Sequence, residues 1–166
     1  MAGGRIAPAV ALALLVAACG WQLRGAGGGG FEGVPVAIDG SIDNRFSNRL
    51  AERLRDLDAL VVEEPADARV VIEILEASSR RRTVATDADG FASEYELRYR
   101  IRFSLNAGGK AGPDPATIAS QTVRTSASYP ADPSNLQGRD AEEEDLRRDL
   151  RDDALQLLLS RVGRRL

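Results

Sequence analysis

The chain has 166 residues, which suits one domain with a buried core, and a net charge of −3 that gives no case for a nucleic-acid partner. It holds no histidine and one cysteine, Cys19, so the commonest general base, the usual transition-metal ligand and an internal disulfide are all missing. Lys110 is the only lysine and lies among glycines, so no catalytic residue, cofactor or metal is expected.

Arg5 supplies a positive start, and Ile6 to Ala18 form an apolar run shorter than the ~20 residues of a spanning helix. The run ends in small residues directly before Cys19, as a cleaved export signal ends at a cysteine destined for acylation. Residues 1–18 are therefore expected to be a signal peptide, and 19–30 a lipidated N-terminus with a glycine-rich tether. Residues 31–166 follow as a single α+β domain. Acyl chains bind a membrane with ~0.8 kcal/mol per buried CH₂, so several chains hold effectively permanently. Gly20 after the cysteine favours the outer membrane, periplasmic side, because aspartate there favours inner-membrane retention in many enteric bacteria.

Val34 to Ile38 read as a short strand with Pro35 near its start, and Asp39-Gly40-Ser41 as a turn. A helix capped near Ser41 or Asp43 follows, its apolar stripe formed by Phe46, Leu50, Leu54 and Leu57. Leu60-Val61-Val62 read as a lead-in, and Ala68 to Ala77 as the second strand. Glu94 to Asn106 alternate strictly: Tyr95, Leu97, Tyr99, Ile101, Phe103 and Leu105 take one parity, charged and polar residues the other. Thr117 to Tyr129 repeat this more weakly, with Ala119, Val123, Ala127 and Tyr129 expected inside. The last helix is expected to be capped at Asp140, with Glu142 to Asp145 in its first turn. Its buried stripe should be Leu146, Leu150, Ala154, Leu157, Leu158 and Val162. The order β-α-β-β-β-α predicts an α+β fold: a four-stranded mixed sheet, two helices packed on one face.

The other sheet face should be polar and bear arginines. Arg80, Arg81 and Arg82, placed before the turn at Asp87 to Gly90, are candidates for binding anionic groups or for solubility at a loop tip. Arg124 points from the exposed parity of its strand, and Arg139 lies in the connection before the last helix. Arg98, Arg100 and Arg102 are expected to pair with Glu94, Glu96, Glu73 and Glu76 across strands. Asp87-Ala88-Asp89-Gly90 with Glu96 matches part of a calcium-loop spacing, but Ala85 stands where the first acidic ligand belongs, so a hairpin turn is the expectation.

Cys19-Gly20-Trp21-Gln22-Leu23-Arg24-Gly25 resembles the mature start of the lipopolysaccharide-assembly lipoprotein family of the LptE type. Further resemblances are the Ile38-Asp39-Gly40 turn, the Glu94-Tyr95 strand opening, the Val123-Arg124 strand and the acidic last helix. The resemblance implies two helices on a four-stranded sheet and a non-enzymatic protein. It also implies a plug in the lumen of an outer-membrane β-barrel partner of the LptD type, aid to that barrel's assembly, and contact with lipopolysaccharide. On this resemblance Cys19 matches the lipidated residue, Arg139 falls near a basic position before the last helix, and the loop from Arg80 to Gly90 faces glycolipid. The alternative is another outer-membrane-tethered scaffold that binds an envelope protein through its helices.

Overall fold

Strict alternation over residues 94–106 makes a strand with one greasy and one wet face, and the rest of the sheet is laid against it. The computed structural model describes residues 30–40, 43–113, 115–131 and 136–166, the first four of the last segment by backbone alone. The elements run β1 (Pro35–Asp39), α1 (Asn44–Arg55), β2 (Leu60–Val62), β3 (Val70–Thr86), β4 (Ala92–Ala107), β5 (Ile118–Pro130) and α2 (Leu136–Gly163). The sheet order is β2-β1-β3-β4-β5; β1 lies parallel to β2 and β3, and β3, β4 and β5 are antiparallel neighbours.

The α+β class holds, but the sheet has five strands rather than four. Leu60 to Val62 are not a lead-in: they pair with Pro35 to Ala37 as the outermost strand. Backbone groups so close to a sheet edge are satisfied by joining it, and a three-residue strand suffices. β3 also runs nine residues beyond the expected end at Ala77, because β4 continues as its pairing partner, through further irregularities near Ala85, out to Ala92.

Phe46, Leu50 and Leu54 of α1 are fully or nearly buried and meet Ile72, Ile74, Leu97, Ile101, Phe103 and Leu105 in one core. Asp43 caps α1, its carboxylate accepting from the Arg45 amide at 3.2 Å. Leu57 lies beyond the helix and only leans against the core. Arg49 and Arg53 of α1 both bond Asp152 of α2, at 2.7 and 3.2 Å, so the helices are linked across their polar flanks. The hydrogen bond from Arg49 holds the Asp152 carboxyl below its ordinary range against the opposing pull of burial.

α2 departs from expectation in two ways. It begins at Leu136, so Asp140 is an interior residue and Glu142 to Asp145 lie past the first turn, where the dipole contributes less. Leu157 is 43% exposed, whereas Leu155 and Leu159 are buried beside Leu150, Ala154, Leu158 and Val162. The helix is rotated toward a 154/155–158/159 seam, which a long helix lying over a coiled sheet uses to keep contact.

β-bulges move side chains between faces. Phe103 pairs with Gln121 but Leu105 with Ile118, so β5 carries one extra residue there. Ile118 is consequently buried and Ala119 exposed, the reverse of the simple alternation. A second bulge in β3 lies between Ile74, opposite Phe103, and Glu76, opposite Arg102. From Ala77 onward the inward parity becomes 77, 79, 81 and 83.

Candidate functional site

The face of β3, β4 and β5 turned away from the helices is where chemistry-bearing side chains gather. Register places Arg80 directly opposite Arg98, and Arg100 directly opposite Arg124. Like charges facing each other across strands destabilise a sheet, so two such pairs are unusual in a surface selected for stability alone. Ser78, Arg80, Arg98, Tyr99, Arg100 and Arg124 line a shallow cleft of about 180 Å³.

Two carboxylates sit at the edge of this field. Glu76 takes Arg100 at 2.5 Å and the Ser78 hydroxyl at 2.8 Å. Glu96 takes Arg82 at 2.6 Å and also bonds Arg98. The hydrogen bond from Arg100 holds Glu76 below the ordinary carboxylate range, and the one from Arg82 does the same for Glu96. Among the described residues, no carboxylate lies within ion-pair distance of Arg80 or Arg124.

The arginine triplet is thus divided between two faces, and it lies within a strand rather than at a loop tip. Arg80 and Arg82 point to the open face. Arg81 shares the inward parity with Leu97 and bonds Glu143 of α2 at 2.7 Å, with its guanidinium 4.8 Å from the centre of the Tyr95 ring. Tyr129 donates its hydroxyl to the same Glu143 oxygen at 2.6 Å, and Arg147 reaches the other at 2.7 Å. Burial raises the Glu143 pKa, but the bonds from Tyr129 and Arg81 outweigh it and leave the carboxyl below its ordinary value. Burial and the bond to Glu143 push the Tyr129 phenol up.

Arg124 lies exposed in the cleft wall. Cys19 lies outside the described residues; Arg139 falls within α2, which begins at Leu136, rather than in the connection before it, and its side chain lies outside the described residues. Arg100 pairs across strands with Glu76, whereas Arg98 pairs with Glu96 along its own strand and Arg102 has no ion pair among the described residues; the register also makes Arg98 and Arg100 the centre of the cationic field. The sequence signal was present in the same-sign exposed parity of Arg98, Arg100 and Arg102; what it lacked was the identity of the residues opposite. At the hairpin turn the Asp87 carboxylate accepts from the amides of Asp89 and Phe91, at 3.0 and 2.8 Å, so it is engaged in closing the turn. Among the described residues no cluster of three or more Cys, Asp or Glu is placed to hold a metal ion.

A mixed sheet covered by two helices on one side, with an open arginine-rich surface on the other, is the build of a binding or scaffolding domain. The chain belongs to the LptE family: the family model described as lipopolysaccharide-assembly matches residues 31–162. No curated protein sequence matches the chain. Among solved structures, lipoprotein B from Nitrosomonas europaea is similar at 25% identity and a TM-score of 0.69, covering 87% of this chain and 90% of that one. The rare lipoprotein B from Shewanella oneidensis, at 22% identity and TM-score 0.66, covers 78% and 93% and shares the fold. The minor lipoprotein from Acinetobacter baumannii does so at 18% identity and TM-score 0.61, covering 78% and 90%.

Proposed function

We propose that this protein is an outer-membrane lipoprotein, anchored through acylated Cys19 on the periplasmic side, that plugs the lipopolysaccharide-inserting β-barrel and contacts lipopolysaccharide in transit. Residues 1–18 serve as the signal peptide, 19–30 as the anchor and tether, and 31–166 as the working domain. The observation that carries this reading is the pair of arginine–arginine oppositions, Arg80 with Arg98 and Arg100 with Arg124, on the uncovered face of a domain in the LptE family. Guanidinium groups bind phosphate oxygens in a fork, so phosphates of a passing glycolipid would relieve a repulsion that the sheet otherwise bears.

A plug must present a broadly polar, rigid surface to a water-filled lumen rather than one apolar patch. The two faces here fit that need: arginine, glutamate and serine on the sheet, alternating charges on α2. The test is co-expression with the barrel. Stoichiometric co-purification and protection from protease are expected; free, readily digested protein would reject the plug. Capture of labelled lipopolysaccharide should fall when Arg98 and Arg124 are replaced together, and unchanged capture would reject the open face as its contact.

A further inference from the structure

The positive charge of the cleft is partly met by carboxylates at its edge. Arg100 is held by Glu76, and Arg98 and Arg82 by Glu96, while Arg80 and Arg124 stand opposite them without a carboxylate among the described residues. Both carboxylates are on strands of the same sheet, so they stay with the site whether or not a ligand is present. We propose that Glu76 and Glu96 are built-in counterions of the arginine cleft, which an incoming anionic group must displace, and that they set which anions bind. The inference rests on the reading of the open face as the surface that contacts glycolipid phosphates.

The geometry explains the selectivity. Arg98 and Arg100 are two residues apart on β4, about 7 Å along the strand, and each has a second arginine beside it. The cleft is therefore two facing arginine pairs set diagonally across β4, one with β3 and one with β5, each pair carrying one carboxylate partner. A singly charged carboxylate offers a guanidinium no more than Glu76 or Glu96 already gives. A phosphoryl group brings more charge and more acceptor oxygens, enough to bridge both arginines of a pair, and two such groups engage both pairs. The internal carboxylates thereby disfavour weak anions while leaving the cleft open to multiply phosphorylated ones. They also neutralise part of the field when no ligand is present, which limits the repulsion within the sheet.

The decisive experiment is the sign of the affinity change. Binding of fluorescently labelled lipopolysaccharide to the full domain is measured for E76Q and E96Q, each of which keeps the side chain's size and removes its charge. Displaced counterions predict tighter binding, about two- to fivefold for each. They also predict a relative gain for singly charged competitors such as acetate. Inorganic pyrophosphate as a competitor separates recognition of phosphoryl groups from recognition of acyl chains. If the two glutamates instead preorganise the arginines, the same variants bind more weakly, and the counterion role is overturned. E76D, which retracts the carboxylate from Arg100, should shift binding in the same direction as E76Q and guards against an effect of misfolding. R80A and R124A separate the two levels of inference. Loss of binding in these with no gain in E76Q and E96Q overturns the counterion role alone. No change in any of the four removes the cleft from recognition altogether.

Discussion

Arg81 of β3 and Glu143 of α2 meet at 2.7 Å, 62 residues apart in sequence, and tie the outer part of the β3–β4–β5 ribbon to the first half of the long helix. β1 reaches only as far as Glu73 on β3, so beyond that point the ribbon depends on α2 for cover. Among the described side chains near Glu143 the helix offers few apolar contacts: Leu146 is only partly buried, and the next leucine, Leu150, is buried. The network of Arg81, Tyr129 and Arg147 around Glu143 takes the place of a greasy seam.

Replacing Glu143 by alanine leaves the Tyr129 hydroxyl and the Arg81 guanidinium without their shared acceptor. A loss of about 1–3 kcal/mol is expected, less than for a fully buried pair because Arg81 is partly solvated. Urea unfolding followed by circular dichroism measures it, and hydrogen exchange should show the loosening concentrated in residues 140–150. An unchanged midpoint would make the network a surface ornament.

The same network predicts a window of pH stability. The folded carboxyl of Glu143 titrates below its ordinary value of 4.5, so its contribution is present above that value and is lost as the pH falls through the lower folded one. Asp152 behaves alike from its ordinary 3.8. The Tyr129 phenol titrates above its ordinary 10.0, so its contribution is present below that and is lost as the pH rises past the folded value. Thermal melts should therefore be flat near neutrality and fall at both extremes, and E143Q should flatten the acid limb.

Leu97 and Arg98 are adjacent but face opposite ways, and their replacements should separate stability from binding. Leu97→Ala empties a position that is 1% exposed and is expected to cost about 2–5 kcal/mol. Arg98→Ala removes one half of an arginine opposition and should change stability by no more than about 0.5 kcal/mol. It should nevertheless weaken lipopolysaccharide capture. Paired melting and binding measurements decide this.

Gly40 tolerates no side chain. Its φ is +125°, and a Cβ there would lie 2.3 Å from the Ile74 carbonyl oxygen. Both β1 and β3 would have to shift at the point where the β3 bulge begins. Gly40→Ala is expected to cost about 2–4 kcal/mol, seen as a lower urea midpoint.

The anchor is tested by mass. Protein recovered from the envelope should begin at Cys19 and carry acyl groups, and Cys19→Ser should leave the chain unacylated and released from the outer membrane on fractionation. An intact first residue, Met1, or an unmodified thiol at Cys19 would reject the lipoprotein reading.

What sequence alone determined is the part of the fold that depends on periodicity. The strict alternation at Glu94 to Asn106 placed Leu97, Ile101, Phe103 and Leu105 inside, and the four-residue spacing of Phe46, Leu50 and Leu54 placed one face of α1 against them. Both follow from the side-chain geometry of an isolated element. Only the tertiary structure decided where the alternation slips. Counting in twos from Ile72 and Ile74 puts Arg80 and Arg82 inside and Arg81 outside; one extra residue at the β3 bulge reverses all three. The bulge lies in the register with β4 and brings Arg81 to Glu143 of α2, and neither relation is a property of the triplet itself. The facing of Arg80 on Arg98 and Arg100 on Arg124 is likewise a relation between strands, invisible until pairing makes it.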